Sequence, residues 1–165
     1  MPGMKSRFSR RSVGANMHIR VQTEDFEVGS LYDALAEKSQ KTGAVAMFTG
    51  RVRDLNQSNS VNELFLEHYP GMTEKVLLSI AEEATRRFSL NGITVIHRVG
   101  QLKPADNIVF VGCAAMHRED AFLACQYTMD RLKTEAPFWK KESSDRGTHW
   151  LGSNPKDRRA RERWD

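Results

Sequence analysis

One proline constrains this chain more than any other residue. Over residues 118–136, Ala121, Phe122, Cys125, Met129 and Leu132 recur at helical spacing, and Pro137 stops the helix they define. Residues 138–143 then read as a strand. A helix with one apolar stripe that hands straight over to a strand must bury the stripe against a second layer, which points to helices packed on a sheet. One lysine flanks the break on each side. Lys133 follows Met129 by four residues and so lies at the margin of the stripe. An amine held against apolar surface loses part of its preference for the charged form and becomes a candidate nucleophile or acid–base group. The alternative is ordinary: Lys133 lays its stem over the core and Lys140 decorates a surface strand.

The remaining pattern fits the same class. Residues 18–22 read as a first strand, and 28–39 as a helix with Leu31, Leu35 and Tyr32 inward. Residues 43–52 read as a strand, and 54–60, rich in turn-forming side chains, as a mobile loop. Residues 61–69 alternate, with Leu64, Leu66 and His68 on one face. After Pro70-Gly71 comes a helix over 73–88, then strands over 93–98 and 107–116 around a Pro104 turn. Residues 154–165 form a charged tail, either mobile or a surface-bound helix. The expectation is an α+β fold. Neither GxGxxG nor GxxxxGK[ST] occurs, so no glycine loop is present to cradle phosphates.

A chain of 165 residues fits one domain with a real core. Its net charge of +4 sits in residues 1–16, where Lys5, Arg7, Arg10 and Arg11 meet no acid. Removing those four from 25 basic side chains leaves 21 against 21 acidic ones. The body is therefore no polycation, which argues against nucleic-acid binding. Residues 1–16 read as a disordered basic leader, or as an upstream start with Met17 the true beginning. Cys113 and Cys125 lack metal-ligand or CxxC spacing and read as buried thiols in a reducing compartment. No apolar run reaches membrane-spanning length, so the expected location is the cytoplasm, without membrane attachment.

Two further groups carry charge in a pattern. In an extended run, Arg51 and Arg53 share a face and Val52 takes the other, which suits a phosphate or carboxylate, or a solvated strand end with ordinary ion pairs. His117-Arg118 stands where a strand hands over to a helix, a place that favours anions. Glu119 and Asp120 fit simple helix stabilisation there as well. With Lys133, Lys140 and Lys141, these groups would make a cationic site on a balanced body, suited to a small anionic ligand.

Five blocks together resemble one family: Phe48-Thr49-Gly50-Arg51-Val52-Arg53; Leu66-Glu67-His68-Tyr69-Pro70-Gly71-Met72; Val95-Ile96-His97-Arg98-Val99-Gly100; His117-Arg118 with Ala121-Phe122; and Leu132-Lys133-Thr134 with Ala136-Pro137-Phe138-Trp139-Lys140. In order and spacing they resemble the catalytic (large) subunit of molybdopterin synthase, over about residues 17–150. The tail 151–165 matches loosely. The resemblance implies an α/β hammerhead-like domain with a mostly antiparallel sheet, packed helices and a small added subdomain. It implies a sulfurtransferase that moves two sulfurs onto cyclic pyranopterin monophosphate, forming the molybdopterin dithiolene. The donor would be the C-terminal Gly-Gly thiocarboxylate of a small ubiquitin-like carrier subunit, in a heterotetramer built on a homodimer. Carried over by motif, Lys133 and Lys140 are catalytic. Arg51, Val52, Arg53, His117, Arg118, Lys141 and Glu142 join them in binding substrate. No metal or cofactor is implied, and active-site groups can come from both halves of the dimer. A different class, a non-catalytic module that binds a ubiquitin-like tail or an anionic nucleotide or pterin, would lack turnover.

Overall fold

The computed structural model describes residues 16–165 apart from 38, 54, 57–58, 145–146 and 153. The expectations for residues 1–15, and for Asp54, Gln57 and Ser58 of the polar loop, lie outside the described residues. In chain order the elements are β1 (Asn16–Gln22), α1 (Val28–Ala36), β2 (Ala44–Arg51), β3 (Leu55–Asn56), β4 (Asn59–His68), α2 (Met72–Phe88), β5 (Gly92–Arg98), β6 (Gly100–Leu102), β7 (Asn107–Ala115), α3 (Arg118–Glu135), β8 (Phe138–Ser144), β9 (Gly147–Leu151) and α4 (Pro155–Glu162).

The strands build two sheets. The first runs β1-β5-β7-β2, with β1 and β5 parallel and the other pairs antiparallel. The second runs β3-β4-β8-β9 with β6 also paired to β4, antiparallel throughout. Gly100, at φ 85°, turns the chain from β5 of the first sheet into β6 of the second. That left-handed backbone is costly for any residue with a Cβ. The fold is α+β, a mixed sheet with helices on it and an antiparallel second sheet.

The main core lies between the first sheet and helices α2 and α3. Leu77, Ala81, Ala84 and Phe88 of α2 meet Ile93, Val95, Val111 and Cys113 of the strands and Ala121, Ala124, Cys125 and Leu132 of α3. A smaller cluster, Val52, Leu64, Leu66, Val99 and Leu102, fills the inner face of the second sheet. Val21, Ile108 and Phe138 pack against both, so one apolar seam joins the layers. Both cysteines are free and buried.

Some elements differ from the expectation. Described residues of the expected loop, Leu55–Asn56 and Asn59–Ser60, pair as a hairpin. Phe122 was expected in the core stripe but is 66% exposed, because the buried face of α3 runs through Ala121, Ala124, Cys125 and Thr128. Phe122 lies one residue, about 100° of turn, off that line. Tyr32 likewise faces out while Leu35 is buried. The charged tail holds a helix docked on the body. Trp164 meets Tyr127 and Phe88 edge-on at 5.4 and 6.0 Å, and its Nε1 donates to Asp130 at 2.8 Å.

Candidate functional site

The helix break is built from both sides. Ala136 caps α3 in an extended conformation, its N–H donating to Leu132 O, and Pro137 follows. The Pro137 carbonyl accepts from Thr73 Oγ1 at 3.0 Å, and the same hydroxyl accepts from Tyr69 N–H at 2.9 Å. Thr73 is fully buried, so the break is tied to the start of α2. Phe138 then enters β8 opposite His68 and stacks on His97, ring centres 3.8 Å apart and planes 17° apart.

This arrangement brings Lys133 and Lys140 together. Lys133 stands exposed in the last turn of α3, and Lys140 is half-buried on β8 opposite Leu66. The desolvation that the helical spacing suggested for Lys133 falls on Lys140 instead. Burial first, then the neighbouring Lys133 ammonium, lowers the Lys140 pKa from 10.5 to about 8. Asp157 of α4 and Glu142 oppose the shift. Such an amine is partly neutral near physiological pH and can take or give a proton, while Lys133 beside it presents a charge to anions.

Two histidines that sequence reasoning left unassigned complete the cluster. His97 is buried, and its pKa falls from 6.5 to about 3, chiefly through burial, with Lys133, Lys140 and His68 adding to the fall. His68 Nε2 lies 3.5 Å from Glu74 Oε1, and the other Glu74 oxygen accepts from Gly71 N–H at the start of α2. The alternation of β4 put His68 on the inner face with Leu64 and Leu66, which was a usable signal. His97 gave none, because every residue from Gly92 to His97 is buried and no polar face stands out.

The other expected site residues fall in three places. Arg51 ends β2 at the same end of the first sheet, its guanidinium donating twice to Ala105 O at 3.2 and 2.9 Å. Val52 is buried in the smaller core and Arg53 is exposed, so the alternation of this run holds. Glu142 shares the Lys140 face of β8, whereas Lys141 points to the other face, with its Nζ 5.5 Å from the Trp150 ring centre. An open cavity of about 310 Å³ on that outer face is lined by Phe65, Lys141 and Trp150 among others. His117 and Arg118 are exposed at the N-terminus of α3. They stand about 24 Å from Lys133 along the helix, at about 1.5 Å per residue. The structure therefore gathers Lys133, Lys140 and Glu142 but leaves His117-Arg118 at the far end.

Among the described residues, no group of three or more His, Cys, Asp or Glu side chains could hold a metal, and no helix is long and apolar enough to cross a membrane. An α+β protein with two facing amines at a helix–strand junction belongs to a class equipped for anion binding and proton exchange at nitrogen. The chain belongs to the MoaE protein family, whose model matches residues 21–135. It is 51% identical to the molybdopterin synthase catalytic subunit of Escherichia coli K12 over 150 residues, covering 91% of this chain and 99% of that protein. The molybdopterin biosynthesis MoaE protein of Burkholderia ambifaria superposes with a TM-score of 0.78 at 49% identity, over 90% of this chain and 97% of that one. A molybdopterin synthase structure from Staphylococcus aureus gives 0.75 at 30% identity, over 80% and 95%.

Proposed function

We propose that this chain is the catalytic subunit of a molybdopterin synthase, a sulfurtransferase that works with a small partner subunit. The name of its relatives, a catalytic subunit, implies a companion chain. The observation that carries the reading is the Lys133–Lys140 pair, with one amine charged to meet anions and one poised near pH 8. In the fuller reading, a small ubiquitin-like carrier delivers sulfur as a C-terminal Gly-Gly thiocarboxylate to cyclic pyranopterin monophosphate, twice per dithiolene. Thiocarboxylate and phosphate are both anions, so Lys133 steers and orients them, and Arg51 and Arg53 supply the phosphate side. The thiocarboxylate sulfur bonds to a precursor carbon as an oxygen substituent leaves. Water then adds to the carrier's acyl carbon, the acyl–sulfur bond breaks and the carrier departs as a carboxylate. The Lys133 ammonium stabilises the tetrahedral oxyanion and Lys140 moves the protons.

The 24 Å separation along α3 supports a composite site. His117 and Arg118 of one copy serve the lysine pair of a second copy, which makes the working unit a homodimer carrying one small subunit at each site. The expected location is the cytoplasm. The test is reconstitution from this chain, purified precursor and carrier. Molybdopterin should form with thiocarboxylated carrier and not with the plain carboxylate form. Product made equally well from plain carrier would overturn the donor assignment, and carrier binding without product would leave only a binding module.

A further inference from the structure

Thr73 takes no part in the chemistry, yet its side chain holds the break between the two lysines. It is fully buried in the first turn of α2. Its backbone N–H donates to Tyr69 O at 2.8 Å, and its Oγ1 accepts from Tyr69 N–H at 2.9 Å. The same Oγ1 lies 3.0 Å from Pro137 O. A carbonyl oxygen only accepts, so the single hydroxyl proton is committed to Pro137. Pro137 has no N–H, and its carbonyl is therefore the one backbone group by which that residue can be tied down. The chain turns sharply around it, with Phe138 N–H donating to Ala136 O at 2.9 Å. Lys133 precedes Pro137 in the last turn of α3, and Lys140 follows it on β8. The direction in which β8 leaves the helix sets how far apart the two amines stand.

On the reading that Lys133 and Lys140 carry the transfer, we infer that Thr73 is a positioning residue for the pair. Its hydroxyl fixes the Pro137 carbonyl to the start of α2, and with it the spacing of the two amines. Both amines must reach one reacting centre, and a misplacement of about 1 Å is felt strongly in rate. Valine keeps the shape of the side chain and loses the hydroxyl. Pro137 O and Tyr69 N–H then lack their shared partner, and the break shifts until water or another group satisfies them. Serine keeps the hydroxyl and both bonds.

The test reads the amine pair apart from turnover. A short bifunctional amine reagent, followed by peptide mass analysis, should link Lys133 to Lys140 in the wild type. In Thr73→Val the yield of that link should fall at least about threefold. Competitive amine labelling across pH should place the Lys140 midpoint higher in Thr73→Val than in the wild type. An amine released from burial and from Lys133 moves back from about 8 toward 10.5. In the reconstituted reaction kcat should fall at least about tenfold, with KM for the precursor within about twofold. Thr73→Ser should restore all three readings. A folded Thr73→Val protein with the wild-type link yield and midpoint would overturn the positioning role, whatever its turnover. If Thr73→Val does not fold, Thr73→Cys takes its place, since a thiol fits the site and is a weak donor. The same readings, against Thr73→Ser, then decide. A lost link and a raised midpoint, in a protein whose wild type makes no product, would leave Thr73 setting the pair and remove the proposed function.

Discussion

The two ends of α3 treat their cationic residues in opposite ways. At the C-terminal end the helix is stopped by Pro137 and tied down by the Thr73 hydroxyl. It is followed by a strand that pushes Lys140 into partial burial beside Lys133. At the N-terminal end His117 and Arg118 stand in solvent, and His117 makes no side-chain capping bond. One end is preorganised by its own chain, while the other offers donors outward. On the proposed function, a single copy holds the amine pair without the far-end donors, and a second copy would supply them.

Subunit mixing tests that division. Lys133→Ala and Arg118→Ala proteins should each be nearly inactive alone, yet mixed and allowed to exchange subunits they should recover about a quarter of wild-type activity. In a mixed pair one site keeps both wild-type groups. No recovery, with exchange shown by mass measurement, would place all the groups in one copy. Thr73→Val tests the clamp at the C-terminal end. It leaves Tyr69 N–H and Pro137 O without their shared hydroxyl and should cost about 2 kcal/mol, read from denaturant unfolding. Unchanged stability would show that the clamp is dispensable.

The smaller effects concern charge. His97 binds its proton far less readily when folded than when unfolded, so the unfolded chain takes up the extra proton between about pH 6.5 and 3. Its contribution is present above 6.5 and is lost as pH falls through that window. His97→Phe should therefore resist acid unfolding better relative to its stability at pH 7. Lys140 follows the same sign higher up, because its folded pKa of about 8 lies below 10.5. Stability from this group rises between those values, and below pH 8 Lys140→Met should melt on the order of 3 °C above wild type. Equal melting at pH 7 would mean that the Lys140 ammonium is fully solvated.

Much of the C-terminal end was legible in the sequence because its signals are local and periodic. Pro137 can only end a helix there, and the alternation of Leu64, Leu66 and His68 assigns an inner face without knowledge of the partner strand. Phe122 misled because its apolar side chain sits one residue off the buried line of α3, and composition does not report angle. The short strands β6 and β9 went unread, since Gly100–Leu102 and Gly147–Leu151 owe their form to the strands they pair with. The charge balance of the site was hidden for the same reason. Lys140 is desolvated by the packing of β8, and Asp157 reaches it from a tail helix held in place by Trp164. His97 depends on Phe138, which a sequence places far away and the fold places at 3.8 Å. The distance between His117 and Lys133 was computable from helix length alone.

On the proposed function, the amines at the helix–strand junction perform the transfer. The most direct test is turnover by Lys133→Ala, supplied with purified precursor and thiocarboxylated carrier, on protein shown to be folded by its circular dichroism and melting temperature. Lys133 is exposed, so the substitution should leave the fold intact. Molybdopterin formation should fall at least about a hundredfold. Near-wild-type turnover by the folded variant would remove Lys133 from the chemistry.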